Sequence, residues 1–185
     1  MNLKTFWQYF FYSFAILLVT EIQLGALPAM PGVLAYTDVA IIFLLVVLVL
    51  YDVTTAFYFG LMLGIIFDVL NFWSFGQAVI GIEVVLVVCY ILLTKVFTNR
   101  SLYSFLALTL IATVVYWLAI RITDITTGFV FSAPSHLFFN PVALRLLGWK
   151  IGLNLITSAI TFQIATFISH SLKPVFLMKS NYVNR

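Results

Sequence analysis

Val39-Ala40-Ile41-Ile42-Phe43-Leu44-Leu45-Val46-Val47-Leu48-Val49-Leu50 contains no polar side chain. A half-buried strand would alternate apolar and polar residues, and a surface helix would keep a polar stripe, so a run that is apolar at every position belongs inside a protein or a bilayer. Similar runs recur on both sides, for example over 6–27 and 77–93. The hydrocarbon layer offers no water to backbone groups, so spans are helices or closed barrels, and runs without two-residue alternation select helices. Twelve residues would make a short span for a layer of about 30 Å, so Thr37 and Tyr51 are expected to lengthen this segment, or the membrane to thin around it.

Working outward, six apolar segments are read as transmembrane helices over about 6–27, 37–51, 55–70, 77–93, 102–122 and 146–168. The composition agrees: of 185 residues, 64% are hydrophobic and 8% charged, whereas soluble domains are roughly 25% charged. The expected fold is an all-α polytopic integral membrane protein, a single transmembrane domain over 1–185. Leu27-Pro28-Ala29-Met30-Pro31-Gly32 ends the first helix with breakers. Asn71-Phe72-Trp73-Ser74-Phe75-Gly76 forms the turn after the third. The first apolar run is long, aromatic-rich and without a small-residue cleavage pattern, so it is expected to remain in the mature protein.

With six spans both termini share a side, together with Lys4, Lys95, Arg100, Lys173, Lys179 and Arg185, while Arg121, Arg145 and Lys150 fall on the other. The positive-inside rule then makes the termini and the loop 94–101 cytoplasmic and the loop 123–145 external, with room there for a short interfacial helix around Pro134, His136, Asn140 and Pro141. The net charge of +3 is scattered singly, which gives no nucleic-acid footprint. Cys89 sits in an apolar run and is expected to pack. His136 and His170 have no carboxylate or Cys at metal-ligand spacing, and no nucleophile motif or phosphate loop is present, so no catalytic residue, metal or cofactor is expected. Trp7, Trp73, Trp117 and Trp149 are expected near span ends, at the headgroups.

Ionisable groups at membrane depth are costly, and three acids stand out in the outer half: Glu21, Asp68 and Glu83. Arg121 and Lys150 lie on the same side as candidate counter-charges, completing an outer polar cluster. Three readings stay open: ion pairs that fix helix register, a ligand or ion site, and a surface where an acid is satisfied by another subunit. Gly60, Gly64 and Asp68 recur every four residues, so they form one row in which two glycines allow a close helix approach within the protein or toward a partner.

The stretch Phe59-Gly60-Leu61-Met62-Leu63-Gly64-Ile65-Ile66-Phe67-Asp68-Val69-Leu70, followed by Phe75-Gly76, resembles the MreD family of rod shape-determining membrane proteins. That family has a Gly-xxx-Gly-xxx-Asp-x-Leu helix, a short loop ending in a small residue, and another apolar helix. The tight turn Phe97-Thr98-Asn99-Arg100-Ser101-Leu102 after Lys95 is similar to the family's next cytoplasmic turn. The resemblance covers 37–122. It implies a non-enzymatic scaffold of the bacterial cytoplasmic membrane, working in cell elongation with MreC and, through it, MreB and the lateral-wall peptidoglycan synthases. It further implies that Gly60, Gly64, Asp68 and Gly76 make a packing or partner surface and that Lys95, Asn99 and Arg100 face a cytoplasmic partner or membrane lipid. The rival reading is the substrate-binding subunit of an energy-coupling-factor vitamin transporter, also a small six-helix protein, which would use Glu21, Asp68 and Glu83 as a pocket.

Overall fold

A computed structural model of the chain describes residues 3–30, 32–71, 76–97, 101–130 and 141–170. Among these residues there is no strand, and six principal helices carry the fold. They are α1 (Leu3–Thr20), α2 (Val39–Leu50), α3 (Val53–Asn71), α4 (Gln77–Lys95), α5 (Leu102–Val130) and α6 (Pro141–His170). Four stretches are long and apolar enough to cross a membrane: Phe10–Ala29, Val53–Leu70, Gln77–Lys95 and Leu102–Thr126. The chain is an all-α polytopic membrane protein.

α1 does not stop at Thr20. It widens into a single π turn, Glu21–Ala26, where the Leu27 N–H reaches back to the Ile22 carbonyl, and ends in one α turn, Leu27–Ala29. Pro28 explains the widening: its ring collides with the carbonyl four residues earlier and it has no N–H to give, and a π turn just ahead of it relieves that clash. Met30 is extended and a 3₁₀ segment, Gly32–Tyr36, leads back toward the bundle.

The helix expected over 37–51 is shorter. Thr37 and Asp38 are buried but not helical, and α2 has only 12 residues, about 18 Å of rise. It is no surface span with lengthened ends but the axis of the bundle, touching α1, α3, α4, α5 and α6. Ala40, Ile41, Ile42, Leu44, Leu45, Leu48 and Val49 are all buried, so the run lacks a polar stripe because it has no outward face. Around it, α3 and α4, α4 and α5, and α5 and α6 pack as successive neighbours.

The external loop expected over 123–145 is also corrected. α5 continues to Val130 and α6 begins at Pro141, a residue suited to a first helical turn because its missing N–H is not needed there. Pro134, His136, Asn140 and the interfacial helix proposed around them lie outside the described residues, as does Trp73. The outside of the bundle is apolar: Phe10, Phe11 and Phe14 on α1, and Ile156, Ile160, Ile164 and Phe167 on α6, are exposed. Such faces suit lipid tails.

Candidate functional site

The polar interior begins on α6. Lys150, Asn154 and Ser158 follow one another at four-residue spacing and form one stripe, which turns toward α5 while Ile156, Ile160, Ile164 and Phe167 face out. α5 answers with Thr109, Thr113 and Tyr116. Thr109 Oγ1 has two acceptors in reach of its hydroxyl, the Phe105 carbonyl at 2.9 Å and Ser158 Oγ across the pair at 3.0 Å. Asn154 Nδ2 donates to Thr113 Oγ1 at 3.0 Å, and Thr113 passes its own hydrogen to the Thr109 carbonyl at 2.9 Å. The third rung is a cation over a ring, with Lys150 Nζ 5.5 Å from the Tyr116 centroid. Thr109, Thr113, Asn154 and Ser158 are each 0% exposed, so these bonds form away from both water and lipid.

This zipper meets the start of α2. Thr113 stands eleven residues from Leu102, about 16 Å along α5, or half of a hydrocarbon layer of about 30 Å. Irregular backbone at that depth persists only where protein supplies its hydrogen bonds. Two side chains, Asn154 of α6 and Gln23 of the π turn, do so here. The Asp38 N–H donates to Asn154 Oδ1 at 2.8 Å, Gln23 Nε2 from the π turn donates to the Thr37 carbonyl at 3.2 Å, and the Ala40 N–H donates to Gln23 Oε1 at 3.3 Å. Lys150 Nζ lies 2.9 Å from Asp38 Oδ2, an ion pair with both side chains largely withdrawn from solvent. The break before α2 is therefore built, and Asp38, Lys150, Asn154, Thr113 and Gln23 are its parts.

A second polar arrangement closes the hairpin between α3 and α4. The Asp68 carboxylate accepts the N–H groups of Gly76 at 3.0 Å, Ala78 at 2.8 Å and Val79 at 3.3 Å. It caps α4 from across the turn, placing negative charge at the positive end of that helix. Gly76 has φ 95°, a left-handed conformation that favours glycine. Below the cap, a Cβ on Gly64 would stand 2.7 Å from Val79 Cα, so the two backbones are in close approach. Gly60 faces Leu86, Ile82 and Glu83 in the same seam. The glycine row thus packs α3 on α4 within this chain.

The expected charge pairing is corrected. Lys150 pairs with Asp38, and Arg121 lies 3.8 Å from Asp124 with its guanidinium 5.7 Å from the Trp117 ring centroid. Asp124 also accepts from Gln77 Nε2 at 2.6 Å, which joins α4 to α5. Asp68 needs no base because three backbone donors already satisfy it. Glu21 is exposed, its carboxylate folded over Gly25. Glu83 sets Oε1 in the seam beside Gly60, where the atom is buried without a hydrogen bond. Glu21, Asp68 and Glu83 therefore end in three different surroundings rather than in one cluster. Lys95 is exposed in the last turn of α4, Cys89 is buried in the core, and Asn99 and Arg100 lie outside the described residues.

Sequence reasoning missed Gln23, Thr109, Thr113, Asn154 and Ser158 because it searched the spans for ionisable groups, and it missed Asp38 because that residue stands at the very edge of its expected span. The signal was a polar residue at every fourth position within largely apolar stretches of two helices, Lys150-Asn154-Ser158 and Thr109-Thr113. Among the described residues, no group of three or more His, Cys, Asp or Glu side chains could hold a metal ion. What the arrangement does is fix a helix start, a helix pair and a hairpin. No protein-family model matches the chain, and neither does any curated protein or solved structure.

Proposed function

We propose that the chain is a non-enzymatic membrane scaffold of the bacterial cell-elongation machinery, resembling the MreD family. The observation that carries this reading is the use made of the motif behind the resemblance. Gly60, Gly64, Asp68 and Gly76 all serve to lock one helical hairpin, the first two in the α3–α4 seam and the last two at its turn. Gly64, Asp68 and Gly76 engage the backbone of the hairpin and Gly60 faces Leu86, Ile82 and Glu83 across the seam, as parts of a rigid support do.

In this reading six membrane passages, with the Gly32–Tyr36 segment and the half-span α2 together making one and the long α6 another, put both termini in the cytoplasm of a bacterial inner membrane. MreC would be the direct partner, with MreB and the lateral-wall synthases reached through it, and binding would rely on helix faces and short loops such as that following Lys95.

The test is affinity purification of the tagged protein from its native membranes in mild detergent, with co-purifying proteins identified by mass spectrometry. Recovery of MreC or the lateral-wall synthases is expected. Recovery of a paired ATPase with its coupling membrane subunit would overturn the scaffold reading in favour of a vitamin-transporter subunit.

A further inference from the structure

Glu21 is the acid that the bundle leaves on its outside. Asp38 pairs with Lys150, Asp68 accepts backbone N–H groups, Asp124 lies against Arg121, and Glu83 is enclosed in the α3–α4 seam. The Glu21 side chain is exposed, and among the described residues it takes part in no hydrogen bond or ion pair. Phe10, Phe14, Leu17 and Glu21 follow one another at spacings of four, three and four, so they share one face of α1 and its π turn. Phe10, Phe14 and Leu17 are exposed while Val19 and Thr20 are buried, so that face points away from the bundle.

Two measures fix its depth. Glu21 stands eleven residues from Phe10 and eight from Ala29, about 16 Å and 12 Å from the two ends of the membrane-crossing stretch. Gln23, two residues further on, bonds Thr37 and Ala40 at the start of α2, at the level of Asn154 and Thr113. Both place Glu21 close to the middle of the hydrocarbon layer, and the bonds of Gln23 hold the turn there. Two methylenes do not carry a carboxylate from that depth to either headgroup region. Phenyl rings and leucines are at home among lipid tails, but tails offer a carboxylate neither a donor nor a counter-charge. Just beyond it Gly25 and Ala26 are exposed and nearly without side chains, so another helix can come close at this level. A second copy of this chain meets the need poorly, because a two-fold contact centred here sets Glu21 against Glu21.

We propose that the outward face of α1, bearing Phe10, Phe14, Leu17 and Glu21, docks a membrane-spanning helix of another protein whose Arg, Lys or His side chain pairs with Glu21 in the middle of the membrane. The contact does not depend on which machinery the chain serves: a partner from outside cell elongation would overturn the function proposed above and leave this contact standing.

The test places a photo-crosslinking amino acid at Leu18, an exposed position one turn before Glu21, in the full chain in its native membranes, with Ile160 on α6 as the control site. The expected product joins residue 18 to a membrane-spanning helix of another protein with Arg, Lys or His within one turn of the linked residue, and no such product forms from Ile160. Its yield falls about threefold or more in Glu21→Leu. That variant breaks no bond within the chain, so it should unfold in detergent as the unaltered protein does. Glu21→Lys abolishes the product, and replacing the partner's base by Glu restores it. Crosslinks to lipid alone, to a second copy of this chain or to a helix without a base would overturn the proposal. So would a yield unchanged in Glu21→Leu, a Glu21→Leu protein that unfolds more readily, or a failure of the charge exchange to restore the product.

Discussion

Asp68 shows how one carboxylate can be essential without being a site. Two of its three bonds to the α4 start are 3.0 Å or shorter, and each is charge-assisted. Asp68→Ala removes all three acceptor contacts and leaves buried N–H groups at membrane depth, so it should cost about 2 kcal/mol or somewhat more, at the upper end for helix caps. Asp68→Asn keeps one acceptor oxygen and should lose less than half of that. Detergent-solubilised protein titrated with a denaturing surfactant checks the order, and an Asn variant as unstable as the Ala variant would contradict the capping role. The Gly-xxx-Gly-xxx-Asp row was legible in the sequence as one face. What could not be read was that Asp68 bonds backbone, because three N–H donors lie beyond a turn whose geometry depends on the left-handed Gly76.

Between elements, the difference lies in what each glycine faces. A Cβ on Gly64 meets the Val79 backbone, whereas the nearest atom to a Cβ on Gly60 is the end of the Leu86 side chain, 2.5 Å away, which can rotate. Gly64→Ala should therefore force α3 and α4 apart and cost about 2–3 kcal/mol, with Gly60→Ala about 1 kcal/mol. Equal losses at the two positions, measured in the same unfolding assay, would refute the seam as described. The α5–α6 pair behaves differently because hydrogen bonds hold it. Ser158→Ala should cost only about 0.6 kcal/mol, the average for an interhelical bond in a membrane, whereas Asn154→Leu also strips a partner from the Asp38 N–H and should cost several times more. Existence and approximate bounds of the helices followed from apolar runs, since lipid leaves the backbone little choice. The length of α2 did not, because the run 39–50 is equally consistent with a short span and with a buried half-span, and only Gln23 and Asn154, far away in sequence, decide between them.

For the whole molecule, the ion pair between Asp38 and Lys150 ties the break before α2 to α6, joining segments that are 112 residues apart in the chain. A pairing at that separation leaves no local pattern, which is why the sequence offered Lys150 to the wrong acids. Lys150→Met removes one partner and leaves a carboxylate with its remaining bonds in a low-dielectric interior, so it should destabilise the fold by about 3–5 kcal/mol. Asp38→Asn leaves an ammonium group uncompensated and should be costly as well, although Lys150 keeps the Tyr116 ring beneath it. The double variant removes both charges and keeps the backbone bond from residue 38 to Asn154, so its loss should be smaller than that of Lys150→Met alone. Unfolding of the four proteins in one detergent measures the coupling directly. Additive losses would mean that the two charges stabilise the bundle independently, and α2 would then be held at its start by Gln23 and Asn154 alone.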